Sequence, residues 1–179
     1  PDTHNKIRGV NSFQLILKGI AKTLAEENRP EVSIRTVLQK QNFRELGALI
    51  ELAKRSGTDR ISFLAADVSS DAYGRDTRGA VEDESRIALN AAEIIELRST
   101  IDILAIKYEK EFLSGLISES PEKLHHIADY YDALISKGSM PFPKNFCNAP
   151  MVSAVITSTG DIHPCFFLPA YGNIRKNSF

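Results

Sequence analysis

Residues 32–64, VSIRTVLQKQNFRELGALIELAKRSGTDRISFL, decide the fold class. The stretch begins with a β-rich run over 32–38, which predicts a strand. Apolar residues at helical spacing then predict a helix over 43–55. The short apolar run ISFLAADV over 61–68 predicts a second, buried strand. A strand, a helix and a strand joined by short links are typical of an α/β unit on a parallel sheet.

Local signals mark the ends of the helices around this sheet. Asn42 is a good N-terminal cap for the helix between the strands, and Gly57 is placed to end it. Upstream, Asn11 or Ser12 can cap another helix that runs to about Glu27. The apolar stripe of this upstream helix, predicted to face a core, consists of Phe13, Ile16, Leu17, Ile20 and Leu24.

A polar loop over 71–83 follows the second predicted strand. The ends of parallel strands are where α/β proteins place their sites, so Arg75 and Arg78 in this loop can bind an anionic substrate. A solvated loop is the stronger interpretation of the two arginines.

The chain beyond this loop is predicted to be helical over 84–117, in two pieces that meet near Ser99 and Thr100, and again over 120–137. Only two clear strands therefore precede residue 140. Two parallel strands do not form a stable sheet alone, which predicts either missing sequence or a partner that completes the sheet.

Charge and hydropathy limit the partners. The 179 residues include 22 basic and 23 acidic side chains, for a net charge of −1, which favours neither nucleic acid nor an anionic membrane as a partner. No apolar run approaches the length of a transmembrane helix, and the first ten residues lack a signal-peptide pattern. These features predict a cytoplasmic protein.

Both cysteines of the chain flank one predicted β-hairpin. Strands are predicted over 151–157 and 162–167, joined by a turn at 158–161. Cys147 precedes the first strand and Cys165 lies in the second. A hairpin between two cysteines brings distant thiols together at low entropic cost.

Two interpretations of these cysteines follow from their chemistry. Thiolates bind zinc, copper(I) or iron–sulfur clusters, but two thiolates make only half of a four-ligand site. The other ligands have to come from outside the chain, or one from His163. Alternatively, Cys147 and Cys165 are small hydrophobic residues that pack without a metal.

The cysteine spacing resembles that of a known module. Cys147, twelve residues, Gly160, four residues and Cys165 form a pattern similar to the start of a SPASM or twitch domain. This domain is the auxiliary iron–sulfur module of many radical SAM enzymes. The segments GDIHPC at 160–165 and GNIR at 172–175 also resemble members of that family.

The N-terminal part resembles the barrel of the same enzymes. Residues 1–13 resemble the segment after the fourth barrel strand, a short polar loop with His4 and, four residues later, Arg8 that leads into a helix. Residues 32–64 resemble the next strand, helix and strand.

The resemblance implies an α/β fold that is part of a TIM-type barrel over 1–140, with extra helices, followed over 141–179 by the beginning of the auxiliary module and its β-hairpin. The parent protein would be an iron–sulfur oxidoreductase or maturase that cleaves S-adenosylmethionine at a [4Fe–4S] cluster. Its substrate would be a peptide, a protein or a small molecule. The CxxxCxxC loop of the family does not occur in these residues, so the chain is expected to be a fragment that needs the missing N-terminal half of the barrel.

The resemblance also implies roles for four residues. Arg8 would bind S-adenosylmethionine, and a guanidinium suits the carboxylate of that cofactor. Asp67 would contact cofactor or substrate, or cap the end of its strand. Cys147 and Cys165 would be the first two ligands of the auxiliary cluster, whose later ligands would lie beyond Phe179, so no cluster need bind to this chain alone.

Two other hypotheses stay open at this point. The chain can be a non-catalytic α/β binding module in which Cys147, Cys165 and His163 form a zinc clip. Half a barrel also leaves strand edges open, so the chain can associate with itself.

Overall fold

The computed structural model describes residues 1–68, 86–137, 139–144 and 147–176. The chain forms two compact units, which we call the α/β unit (1–66 with 84–142) and the hairpin unit (67–83 with 143–179). The predicted loop over 71–83, with Arg75 and Arg78, lies outside the described residues.

The α/β unit is built mainly of helices around a short parallel sheet. In chain order its elements are α1 (Asp2–Arg8), α2 (Phe13–Leu24), β1 (Ser33–Leu38), α3 (Leu46–Ser56), β2 (Arg60–Ala65), α4 (Ala91–Lys107), α5 (Glu109–Leu113) and α6 (Pro121–Ile135). Strands β1 and β2 pair in parallel from Ser33 opposite Arg60 to Leu38 opposite Ala65. The predicted strand–helix–strand unit is confirmed. As predicted, α3 ends at Gly57, whose φ of 69° is left-handed.

A third segment continues the sheet on the other side of β2. Ile117 forms a parallel bridge with Ile61, and the Ser118 N–H donates to the Ile61 carbonyl at 2.9 Å. Next along β2, the Phe63 N–H donates to the Glu119 carboxylate at 3.0 Å. Burial raises the pKa of this half-buried carboxyl group. Three parallel segments therefore lie side by side in chain order. Where the pairing of β2 with the third segment ends, the Glu119 side chain takes the place of a backbone acceptor for the Phe63 N–H.

One face of the sheet and helices α3, α4 and α6 enclose the core. Residues Leu38 and Ile61 contribute from the strands, whereas Ser33, Arg35 and Val37 on the opposite face of β1 are exposed. The sheet thus has one covered face and, within the described residues, one open face. The largest fully buried side chains are Tyr108, Tyr131, Phe43, Leu38, Leu46, Ile50, Ile61, Leu89, Ile94, Leu97, Ile101 and Ile117.

The predicted break near Ser99 and Thr100 is wrong. Helix α4 is continuous from Ala91 to Lys107 and begins with a capping box in which Asn90 and Glu93 bond each other's backbone N–H. The Thr100 hydroxyl donates back to the Glu96 carbonyl, so it does not compete with the helix. Burial of Ile101 further favours an unbroken helix, which ends only before Tyr108.

The N-terminal segment also differs from the prediction. Residues expected to form a polar loop form α1, which ends at Gly9 with a φ of 69°. The Asn5 side-chain oxygen accepts from the N–H groups of Ser12 and Phe13, both at 3.1 Å, so Asn5 caps α2 in place of the predicted Asn11 or Ser12 side chain. None of the α2 residues is buried, so its apolar stripe is at most half-covered.

The hairpin unit contains a small antiparallel sheet. Its elements are α7 (Ala149–Val152), β3 (Val155–Ile156), β4 (Asp161–His163) and β5 (Gly172–Asn173), with β4 in the centre. The predicted hairpin around 158–161 is confirmed, but both strands are shorter than predicted. The first half of the strand expected over 151–157 belongs partly to α7. Strand β4 ends at His163 because Pro164 has no N–H to donate.

The fold class is therefore mixed α/β with small sheets. The residues that the structure describes form no closed barrel. No helix in the described ranges has the length and apolar character needed to cross a membrane.

Candidate functional site

The turn of the cysteine hairpin depends on Gly160. Its φ of +88° is a conformation that side chains disfavour, and its N–H closes the turn by donating to the Thr157 carbonyl at 2.9 Å. An added Cβ would lie 3.1 Å from the Asn173 side-chain oxygen and 3.2 Å from Ile174. A glycine at position 160 therefore allows both the left-handed turn and the close packing of residues 173–175 against it.

A polar clamp holds β5 against this turn. The Asp161 carboxylate accepts from the Thr159 hydroxyl at 2.6 Å and from the Asn173 amide at 2.8 Å. These hydrogen bonds hold the pKa of Asp161 below its ordinary value. The Ile174 N–H adds a bond to the Gly160 carbonyl at 2.9 Å, and the Arg175 guanidinium adds one to the Ser158 carbonyl at 3.0 Å.

Cys165 lies two residues beyond β4, in a loop with several backbone contacts. Its side chain is half-buried, and its carbonyl accepts from the Leu168 N–H at 3.3 Å. The Ser153 hydroxyl donates to the adjacent Pro164 carbonyl at 3.0 Å, which ties the end of α7 to this loop. These hydrogen bonds fix the backbone of the loop that carries Cys165.

His163 is oriented by the same loop. Its Nδ1 lies 2.8 Å from the Leu168 carbonyl oxygen, which can only accept, so Nδ1 carries the proton. In the neutral ring, Nε2 then keeps its lone pair. A backbone carbonyl bonded to one ring nitrogen is the usual arrangement of a metal-binding histidine, so His163 is suited to donate through Nε2.

The two thiols do not complete a metal site. Cys147 is exposed, and both cysteines are free thiols. Across the described ranges, no three side chains of His, Cys, Asp or Glu are gathered closely enough to hold a metal ion. Within these ranges, neither a four-ligand cluster site nor a closed zinc site is therefore assembled.

Arg8 and His4 lie on α1 and not in a loop. Arg8 is exposed at the last position of the helix, and no described residue forms an ion pair with it. His4 packs edge-on against the Phe13 ring, with centroids 5.4 Å apart. A shallow cavity beside α1 is lined by Asp2, Asn5, Lys6, Gly9, Val10 and Asn11 and does not include Arg8.

A buried hydrogen-bond network that the sequence did not reveal lies at the end of β2, the strand that Asp67 follows in the chain. The Tyr131 hydroxyl donates to the Leu38 carbonyl at 2.6 Å and accepts from the Ala66 N–H at 3.0 Å. Burial raises the pKa of Tyr131. Tyr131 therefore fixes the ends of both strands. Asp67 itself is half-buried.

Asn42 lies at the predicted N-cap position after β1, but its side chain makes no cap hydrogen bond and binds the preceding backbone instead. Its side-chain oxygen accepts from the Gln39 N–H at 2.8 Å, and its amide donates to the Val37 carbonyl at 2.9 Å. Asn42 thereby shapes the turn that leaves β1.

Comparison with known proteins adds no relative. No family model, curated protein or solved structure matches the chain significantly. A functional hypothesis for this chain therefore depends on the residues and contacts described above.

Proposed function

We propose that this chain is the C-terminal part of a radical SAM barrel followed by the beginning of an auxiliary iron–sulfur module. The hairpin at Gly160 carries the proposal. Its glycine is required by both φ and space, and the two cysteines lie at the spacing of the auxiliary module, on either side of it.

The arrangement of the α/β unit supports the barrel part of the proposal. Successive strands of a barrel are neighbours and parallel, with helices outside and the other face turned to the barrel interior. Strands β1 and β2 and the segment at Ile117 follow that order. Helices cover one face, and none of the residues that the structure describes buries Arg35 on the other.

The same features support a missing N-terminal half as the principal partner. The apolar stripe of α2 is not buried by the described residues, and a further strand beside β1 would give it a surface to pack against. That half would also bring the CxxxCxxC loop. S-adenosylmethionine bound to the [4Fe–4S] cluster of that loop supplies the radical chemistry of the family.

Within this scheme the chain contributes binding groups and no redox step of its own. The Arg8 guanidinium is exposed and suited to the carboxylate of S-adenosylmethionine. Asp67 would contact cofactor or substrate from the end of β2. Cys147 and Cys165 would donate two thiolates, and the remaining cluster ligands would come from elsewhere. The substrate would be a peptide, a protein or a small molecule, and the free thiols fit a reducing, cytoplasmic location.

The hairpin part is tested by metal content. The chain would be reconstituted without oxygen in iron, sulfide and a small thiol that supplies the missing cluster ligands, or in zinc, and bound iron, acid-labile sulfide and zinc would be measured. We expect iron and sulfide in similar amounts, lost in Cys147→Ser and in Cys165→Ser. Ser158→Ala, which removes an exposed hydroxyl from the hairpin turn and no thiol, is the control and should keep the metal.

A zinc clip is the second candidate, favoured by the free Nε2 of His163. It predicts that zinc binds without sulfide and that His163→Ala abolishes binding as completely as either cysteine substitution. Iron and sulfide that persist in His163→Ala would exclude this candidate. No metal under any condition would contradict both candidates and leave the cysteines as structural residues.

The barrel part is tested on the protein in its native source. Mass spectrometry of peptides from an affinity-purified native protein should identify residues before Pro1, including a CxxxCxxC sequence. A native protein of no more than these 179 residues would contradict the proposed enzyme, because the radical-generating cluster would have no ligands.

A further inference from the structure

Helix α4 has a second apolar face that does not point to the core. Ile94, Leu97, Ile101 and Leu104 are buried on one side of the helix. On the other side, Ile95, Ile103 and Ile106 are 69%, 62% and 84% exposed. A solvent-facing helix normally carries polar residues there, so three exposed isoleucines on one surface need an explanation.

The exposed residues form a continuous stripe. Ala92, Ile95, Ser99, Ile103 and Ile106 follow each other at intervals of three or four residues, the spacing of a helix–helix seam. We call these five residues the outer stripe. Its two smaller members, Ala92 and Ser99, allow a second helix to approach closely. From Ile95 to Ile106 the stripe extends for roughly 17 Å along the helix axis, at about 1.5 Å per residue.

We propose that the outer stripe is a self-association surface, on which α4 of a second copy of this chain packs antiparallel. This inference does not depend on the proposed function. It also differs from association through the open strand edge, because α4 lies on the covered side of the sheet.

Charge complementarity identifies the occupant and its direction. Glu96 and Lys107 border the outer stripe on the same flank, near its opposite ends. A twofold axis across the middle of the segment from Ile95 to Ile106, between residues 100 and 101, brings Glu96 of one copy within roughly 3 Å of Lys107 of the other along the helix axis. Arg44 already holds the Glu96 carboxylate at this flank, with bonds of 2.6 and 2.7 Å. Antiparallel packing also places the two helix dipoles in a favourable orientation.

The flanking charges argue against a membrane as the occupant. Glu96 lies on one flank of the outer stripe and Asp102 on the other, and carboxylates at this level oppose an anionic lipid surface. The Asp102 carboxylate lies 2.9 Å from Nε2 of His125. This contact holds a polar side chain along the second flank of the outer stripe. Three isoleucines form a small interface, and the dimer is therefore expected to be weak.

Analytical ultracentrifugation of the full chain tests the surface. Over roughly 10 µM to 1 mM the chain should pass from monomer to dimer, and Ile103→Glu should raise the dissociation constant by about tenfold or more. Leu15→Glu on α2, where Leu15 is 67% exposed, is the matched control and should leave the constant unchanged. Both substituted positions are exposed, so circular dichroism should show that the variants stay folded.

Disulfide cross-linking tests the direction of packing. In a chain with Cys147→Ala and Cys165→Ala, Ser99→Cys lies next to the twofold axis and should form a covalent dimer under mild oxidation. Ala92→Cys should not, because antiparallel packing separates the two residues by roughly 25 Å along the axis. A monomer at every concentration, or a dimer that resists Ile103→Glu, would overturn the surface. A covalent dimer through Ala92→Cys would overturn the antiparallel direction.

Discussion

Different interactions stabilise the fold of each of the two units. In the α/β unit, a continuous set of aliphatic and aromatic side chains is removed from water. In the described part of the hairpin unit, Ile162 is the one buried hydrophobic residue, and a polar clamp around Asp161 fixes the turn. The comparison shows that the first unit obtains its geometry from packing, whereas the second obtains it from a few directional bonds and one glycine.

The largest effect is expected from a cavity in the α/β unit. Ile101 is fully buried, so Ile101→Ala should lower the free energy of unfolding by about 2–5 kcal/mol. Ile103 lies two residues away but faces solvent, so Ile103→Ala should change the free energy of unfolding by less than about 0.5 kcal/mol. Urea denaturation at low protein concentration measures both. Similar losses for the two variants would break the assignment of the core face of α4.

The next effect concerns a buried polar group in the core of the α/β unit. Tyr131→Phe removes the hydroxyl that bonds the Leu38 carbonyl and the Ala66 N–H, and it should cost about 1–3 kcal/mol. Tyr171→Phe removes an exposed hydroxyl and is the control, with no measurable change expected. Thermal denaturation compares the two. A neutral Tyr131→Phe would show that packing alone positions the strand ends.

A smaller and more local effect is expected at the turn of the hairpin unit. Gly160→Ala forces a side chain into a left-handed conformation and against Asn173, so it should destabilise this unit by about 1–2 kcal/mol. Gly19→Ala is the matched control, since its Cβ meets no atom within 4 Å and a helix gains about 0.5–1 kcal/mol from this change. Amide hydrogen exchange locates the effect. Faster exchange in the α/β unit as well would mean that the two units unfold together.

The smallest effect is a pH dependence confined to the polar clamp. The pKa of Asp161 is lowered in the folded state, so its contribution is present above the ordinary aspartate pKa of about 4 and is lost as pH falls through the folded value. Exchange of the Ile174 amide should therefore accelerate on acidification beyond its intrinsic pH dependence. In Asp161→Asn this additional acceleration should disappear. Its persistence in the variant would assign the titration to another group.

The fold was predictable where local signals agree with packing. The run over 32–64 has strand residues, a helical apolar period and a closing glycine at Gly57, and all of these appeared as expected. The break near Ser99 was predicted from local propensity alone, and burial of Ile101 outweighs it. The helix α1 was missed because its polar sequence has no apolar period, and its stop signal at Gly9 was the available clue.

In the hairpin unit, the sequence predicts the turn at 158–161 but not the third strand of the sheet. Cysteine spacing and the residues at 158–161 indicated the hairpin. The third strand at Gly172 and Asn173 pairs with β4 only after a long loop, and no local pattern specifies such a contact. Likewise, no local pattern specifies the two distant backbone groups that the Tyr131 hydroxyl binds.

The bonds of Tyr131 also bear on how the chain folds. The hydroxyl joins Leu38 across 93 residues and Ala66 across 65 residues of sequence. Contacts of such high sequence separation form late, because the entropy of loop closure has to be overcome first. During synthesis, β1 and β2 therefore leave the ribosome long before α6 can lock their ends. Until then their unsatisfied backbone groups are open to other chains, which makes a nascent chain that lacks α6 the form most prone to aggregate.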